Sequence, residues 1–140
     1  MIIERSYDYS LIKQIRTEPQ IWQEICGNYG DKIEDFEPVA NDYIYLIGYD
    51  KLNIIGLFII HETKACYKCH VQVIPERRGQ YADEFGEKVI EWTWMNTDIE
   101  KLMALVPHKF KNVISFAKKQ GFKFAGSTDD DCIMMIERQA

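Results

Sequence analysis

The feature that most constrains the fold is a block of three apolar, β-branched and aromatic runs between Asp42 and Ile74, parted only by short polar stretches. The first, Asp42 to Tyr49, reads DYIYLIGY. Asp50-Lys51-Leu52-Asn53 supplies a turn into the second, Ile54 to His61. Glu62-Thr63-Lys64 supplies another into the third, Ala65 to Ile74. Runs of this length and composition read as strands, and connections this short join antiparallel neighbours, so the block predicts a three-stranded meander. Pro75 ends the third run because proline has no N–H to give to a ladder.

The flanking segments follow from periodicity and punctuation. Ile2 to Arg5 reads as a first strand. Ser6 or Asp8 caps a helix through Leu11, Ile12 and Ile15, and Gln20 to Cys26 forms a second, ended by Gly27-Asn28. Gly30 to Asn41 is polar, acidic and turn-rich and reads as a loop. After the Pro75 to Gly79 turn, a helix is predicted over Tyr81 to Met95, with Ala82, Phe85, Val89 and Trp92 along one stripe. Leu102 to Val106 is a buried-type strand closed by Pro107. Asn112 to Gln120 is a helix with Gly121 at its C-terminal cap, and Phe122 to Ala125 and Ile133 to Glu137 are the last strands. The element order predicts an α/β (α+β) fold on a mixed sheet, built as a single domain over residues 1–140.

Composition removes several function classes. Apolar residues make up 46% and charged residues 28%, so the chain has the material for a core and is not a disordered segment. The net charge is −5, and the densest basic stretches are only His108-Lys109-Phe110-Lys111 and Lys118-Lys119, which argues against a nucleic-acid partner. The longest apolar run, Ile54 to Ile60, is far short of the roughly 20 residues a membrane helix needs. The start, MIIERSYDYS, shows neither a basic n-region nor an apolar h-region, so the expected location is cytoplasmic, with the four cysteines as reduced thiols.

Cys66-Tyr67-Lys68-Cys69-His70 has the spacing of a covalent haem-attachment motif. Its place in a strand argues against that chemistry. Successive strand side chains point to opposite faces, which puts Cys66, Lys68, His70, Gln72 and Ile74 on one side and Tyr67, Cys69, Val71 and Val73 on the other. Cys66 and Cys69 then point apart and cannot clamp one metal. A structural zinc site wants two spaced ligand pairs, and Cys26 and Cys132 are single. No metal is expected, and Cys26 and Cys132 read as small buried hydrophobes.

The segment that carries chemistry is VQVIPERRGQYADEFGEKVIEW, Val71 to Trp92. A strand ends, a turn with two arginines and a glycine follows, and a helix begins. A helix start exposes unpaired N–H groups and partial positive charge, which suits a phosphate. Gly79 lets a ligand approach the backbone, and Arg77 and Arg78 add charge-assisted contacts. An exposed Arg-Arg-Gly turn with no ligand is the plain alternative.

A second segment, ALVPHKFKNVISFAKKQGFKFAGS, reads strand, loop, Asn-bearing helix, then Gly-Phe opening another strand. Together the two segments resemble the GNAT acyltransferase superfamily. Val73-Ile74-Pro75-Glu76-Arg77-Arg78-Gly79 is similar to its V-x-P-x-x-R-G turn, and Asn112 through Gly121-Phe122 with Gly126 is similar to its later helix and strand. The compact form also resembles divergent GNAT-like proteins of bacteriophages, for which the location would be the host cytoplasm.

The resemblance implies a GNAT-like, mixed, mostly antiparallel central sheet of 6–7 strands flanked by about four helices. It implies acetyl-CoA as co-substrate and acetyl transfer to an amine of unknown identity. The pantetheine would lie against the backbone at Val71 to Val73. The pyrophosphate would sit on the amides near Arg78, Gly79, Gln80, Tyr81 and Ala82, with Arg77 and Asn112 close by. His70, on the strand that supplies the base in several relatives, is the candidate base, and the acid is Tyr67, Tyr81 or solvent. His61, His108 and Glu62 rank below His70. A homodimer or a protein partner is also compatible.

Three positions depart from the pattern. Counted from Arg78, Tyr81 and Asp83 stand where small residues belong, so a ring and a carboxylate are expected to crowd the phosphate corner. Ala117 stands where many relatives have a tyrosine. These departures keep a second reading open, a catalytically inactive GNAT-fold protein that acts by binding in phage assembly or on a host protein.

Overall fold

The computed structural model describes residues 1–26, 38 and 42–139. The elements run β1 (Ile2–Arg5), α1 (Tyr9–Arg16), α2 (Pro19–Cys26), β2 (Tyr43–Asp50), β3 (Asn53–Glu62), β4 (Tyr67–Val73), α3 (Arg78–Asn96), β5 (Lys101–Pro107), α4 (Lys111–Lys119), β6 (Lys123–Ser127) and β7 (Asp131–Glu137). All strands join one seven-stranded sheet in the order β1-β2-β3-β4-β5-β7-β6. β4 and β5 are its parallel pair, and the other neighbours are antiparallel. This is the mixed, mostly antiparallel architecture expected from the sequence, and the β2-β3-β4 meander falls where its three runs predict. None of the described helices is long and apolar enough to cross a membrane.

Helices cover both faces. Ile12, Ile15 and Ile21 of α1 and α2 bury themselves against Tyr45, Ile47, Leu57 and Ile59. Phe85, Val89 and Ile90 of α3 and Ala117 of α4 bury themselves against Leu46, Phe58, Ile60, Cys69 and Met134 on the other side. Asp8 caps α1, its carboxylate accepting from the Leu11 N–H at 3.1 Å. Gly121 takes a φ of +104° just past α4, the left-handed conformation that closes a helix and that glycine adopts without steric cost.

The seat of α3 is built from two glycines. Gly48 and Gly56 face each other across β2 and β3, and the fully buried ring of Phe85 rests on both. A Cβ at Gly48 would stand 2.7 Å from that ring, and one at Gly56 3.0 Å from it and 2.6 Å from the Gln72 carbonyl. Close approach of helix to sheet fixes where the N-terminus of α3 lies relative to the end of β4.

The structure departs most from the sequence reading at α3 and β4. α3 begins at Arg78, three residues before the expected Tyr81, because Pro75 starts a 3₁₀ turn over Pro75–Arg77 that runs straight into the helix. The Arg77-Arg78-Gly79 turn is therefore split between that 3₁₀ turn and the first turn of α3. The buried stripe of α3 is Phe85, Gly86, Val89, Ile90 and Thr93, while Ala82 and Trp92 are half-buried at its margins. β4 begins at Tyr67, not Ala65, since Thr63 closes a turn onto Cys66, its N–H donating to the Cys66 carbonyl at 2.8 Å. The loop read over Gly30 to Asn41 lies outside the described residues apart from Pro38, as does the side chain of Cys26.

Candidate functional site

β4 and β5 pair at two positions, Tyr67↔Leu102 and Lys68↔Met103, and then stop. Each is held on its outer edge instead: β4 pairs with β3 along its whole length and β5 with β7 along its whole length. Two parallel strands anchored on opposite sides separate as the sheet twists, so a gap opens toward their carboxyl ends. The Ile74 N–H donates to the Ile55 carbonyl at 2.9 Å. Antiparallel alternation then turns the His70 and Gln72 amides toward β3 and the Val71 and Val73 amides toward the gap. On the α3/α4 side the gap backs onto an apolar cavity of about 50 Å³, lined by Val71, Ala104, Val106, Gly86, Phe116 and Ala117 among others.

Each strand of the gap feeds a helix. α3 starts one 3₁₀ turn after β4, and α4 starts three residues after β5. Both N-termini therefore flank the open end. In open α/β sheets ligands bind at such a point, outside the carboxyl ends of neighbouring parallel strands. No side chain caps α3, and a Cβ built on exposed Gly79 meets nothing within 4 Å. Gln80 is exposed beside it, and Asn112 is exposed in the first turn of α4.

Two departures from the sequence pattern are cleared by partners far away in the chain. The Tyr81 hydroxyl donates to Asp50 Oδ2, at the end of β2, which draws the ring across β3 and away from β5. Asp83 pairs with Lys119 Nζ of α4 at 2.5 Å, and its carbonyl accepts from Gln120 Nε2 at 3.1 Å. Neither side chain comes within 4 Å of a Cβ built on Gly79. Arg78 is engaged internally: Nε donates to the Val73 carbonyl at 3.0 Å and Nη1 to Glu24 Oε1 at 2.8 Å, tying α2 to the rim of the gap. Half-buried Arg77 precedes it at the helix start.

The opposite face of β4 carries His70. Its Nε2 lies 3.1 Å from His61 Nε2 on β3, with the two ring planes 4° apart. Tyr43 of β2 stacks on His61 at 4.6 Å between centroids. Burial, and then the charges of Arg16, Lys68 and His61, push His70 down to about 3. Burial, and then Lys68, lowers His61 as well, against a main-chain hydrogen bond at Glu62 that raises it. Both imidazoles are thus neutral at physiological pH.

Tyr67 is not brought to His70. It sits at the paired end of β4 and packs against the α3-side core. His108 is remote too, with Nε2 2.9 Å from the Thr128 carbonyl, and Glu62 is exposed at the end of β3. Cys69 is buried in the α3-side core, where burial pushes its thiol up to about 12, while Cys66 Sγ meets Met103 Sδ at 3.8 Å. The sequence reading missed the partnership of His61 and Tyr43 with His70. The signal lay in the hairpin register: His61 faces Lys68, which makes His70 its diagonal neighbour on the same face.

Residues 20–137 match the family described as "Protein of unknown function (DUF2824)", and the chain belongs to it. No curated protein matches the sequence. Among solved structures, spermidine N-acetyltransferase from Vibrio cholerae in complex with CoA and spermine superposes with a TM-score of 0.76 at 14% identity, covering 97% of this chain and 94% of that one. Aminoglycoside acetyltransferase AAC(6')-Ib in complex with coenzyme A and kanamycin gives 0.75 at 12% identity, covering 97% and 94%. The fold is that of the GNAT acetyltransferases.

Proposed function

We propose that this member of the DUF2824 family is an acetyl-CoA-dependent N-acetyltransferase, a single domain that moves an acetyl group to a primary amine by direct attack. The observation that carries the reading is the β4/β5 gap with the bare start of α3 at its open end. The pantetheine arm fits the gap, where the Val71 and Val73 amides offer a ladder of donors and the apolar cavity a bed. The pyrophosphate fits the first turn of α3 at Gly79 and Gln80, where helix-terminal amides and Arg77 favour negative charge. Asn112 closes the mouth from α4.

The chemistry asked of the chain is modest. The amine nitrogen attacks the thioester carbonyl carbon, a proton leaves the nitrogen, and the C–S bond breaks to release the thiolate. A gap-facing amide of β4 polarises the carbonyl oxygen as charge develops on it. His70, a neutral, half-buried imidazole on β4, takes the proton. Arg78 serves as a strut for the rim rather than as a phosphate ligand, since two of its nitrogens already have partners inside the protein.

Calorimetric titration with acetyl-CoA tests this directly. Wild-type protein should bind, and Gly79→Glu, which sets a carboxylate into the open space at the start of α3, should weaken binding by at least tenfold with an unchanged melting transition. Absence of heat from the wild type at millimolar acetyl-CoA would favour the alternative of a GNAT-fold binding protein without chemistry.

A further inference from the structure

We propose that Lys119 of α4 is the counter-charge that lets this chain carry a carboxylate at Asp83 beside the coenzyme's phosphates. It cancels the Asp83 charge, so that the start of α3 stays attractive to an anion. The role rests on the acetyltransferase reading and adds to it a residue from a second helix. Asp83 follows Gly79 by four residues, so the two lie about 40° apart around α3 and one turn apart along it. The carboxylate is therefore on the side of the helix where the pyrophosphate is placed. Unpaired, it would oppose the partial positive charge of the helix start. Glu84, one residue on, turns to another side, with Oε1 3.9 Å from the Met1 nitrogen.

Lys119 is delivered to Asp83 by the packing of the two helices. A Cβ built on Gly86 would stand 2.8 Å from both Phe116 and Gln120, so α4 comes close to α3 because that position is bare. Gln120 Nε2 donates to the Asp83 carbonyl at 3.1 Å and holds the end of α4 against the second turn of α3. Lys119 Nζ then meets Asp83 Oδ2 at 2.5 Å. The two side chains are 66% and 59% exposed, and an ion pair so exposed adds little to stability. Its larger consequence is local charge. Glu76 and Arg77 of the preceding 3₁₀ turn offset each other in formal charge, and Arg78 is paired with Glu24. With Asp83 neutralised as well, the unpaired amides of the helix start decide the sign of the corner.

Calorimetric titration of four proteins with acetyl-CoA at low salt tests the assignment. The pair is neutral in the wild type, one unit negative in Lys119→Met, one unit positive in Asp83→Asn, and neutral again in the double variant. Lys119→Met should bind about fivefold more weakly than the wild type, Asp83→Asn at least as tightly as the wild type, and the double variant within about twofold of it. The deficit of Lys119→Met should shrink at about 0.5 M salt, where charges are screened within a few ångströms. Melting temperatures of the four should agree within a few degrees. Equal affinity in the wild type and Lys119→Met overturns the proposal. A double variant as weak as Lys119→Met also overturns it, because Lys119 would then be a prop for α4 or a direct ligand of the coenzyme and not a counter-charge. A wild type that takes up no acetyl-CoA strikes the acetyltransferase reading itself, and this role of Lys119 with it.

Discussion

The Tyr81 hydroxyl donates to the Asp50 carboxylate, joining the first turns of α3 to the end of β2. The two residues are 31 apart in sequence, and the contact decides whether a ring that the family pattern does not expect blocks the phosphate corner. With its hydroxyl held at Asp50, Tyr81 packs its ring on the core margin and leaves the surface over Gly79 open.

Tyr81→Phe keeps the ring and removes the tether. The hydroxyl-to-carboxylate bond is solvent-screened, so its loss should lower stability only slightly. The freed ring then samples the open corner. Acetyl-CoA should bind three- to tenfold more weakly, with a melting temperature lowered by only a few degrees. Calorimetry beside a thermal melt checks both, and equal affinity in the two proteins would show that the tether does not guard the site.

Ala117 gives a prediction with opposite signs for stability and binding. It is buried in α4 and lines the cavity behind the gap. Ala117→Val places two methyl groups into existing space, which typically raises stability by about 0.5–1 kcal/mol when a void is filled without strain. If the pantetheine arm uses that bed, acetyl-CoA affinity should drop by at least tenfold in the same variant. A rise in stability with no loss of affinity would separate the cavity from the cofactor path.

What the sequence made legible follows from how local each determinant is. The meander from Tyr43 to Val73 was readable because β-branched runs and short polar turns are local signals. Cys66 falls in the bend before β4, so the turn onto Thr63, and not strand alternation alone, sends it and Cys69 to different neighbours. The start of α3 was misplaced because Arg78-Gly79-Gln80 has weak helix preference, and the commitment comes from the 3₁₀ turn that Pro75 begins. The gap was hinted at only by Pro75, since it depends on β5 choosing β7 as its long partner. The fates of Tyr81, Asp83 and Arg78 were not legible, because their partners Asp50, Lys119 and Glu24 come from other elements. The His61–His70 pair needed the exact register of a hairpin, which composition does not set.

The depressed His70 also makes stability depend on pH in a defined window. Its folded value lies near 3, below the ordinary 6.5, with burial the leading cause and Arg16, Lys68 and His61 adding to it. The unfolded chain therefore binds a proton that the folded chain refuses between those values. Stability is fully present above pH 6.5 and is lost as pH falls through the window, by ~2 kcal/mol between pH 7 and pH 5 for one such group. His61 is lowered too and adds a loss of the same sign. Urea midpoints at pH 7, 6 and 5 should fall steadily for the wild type and much less for His70→Gln. Most carboxylates titrate below this range, which leaves the histidines as the main source of the slope. Parallel declines in the two proteins would mean that His70 is solvated and free to protonate, and would take away the neutral base on which the proton-transfer step depends.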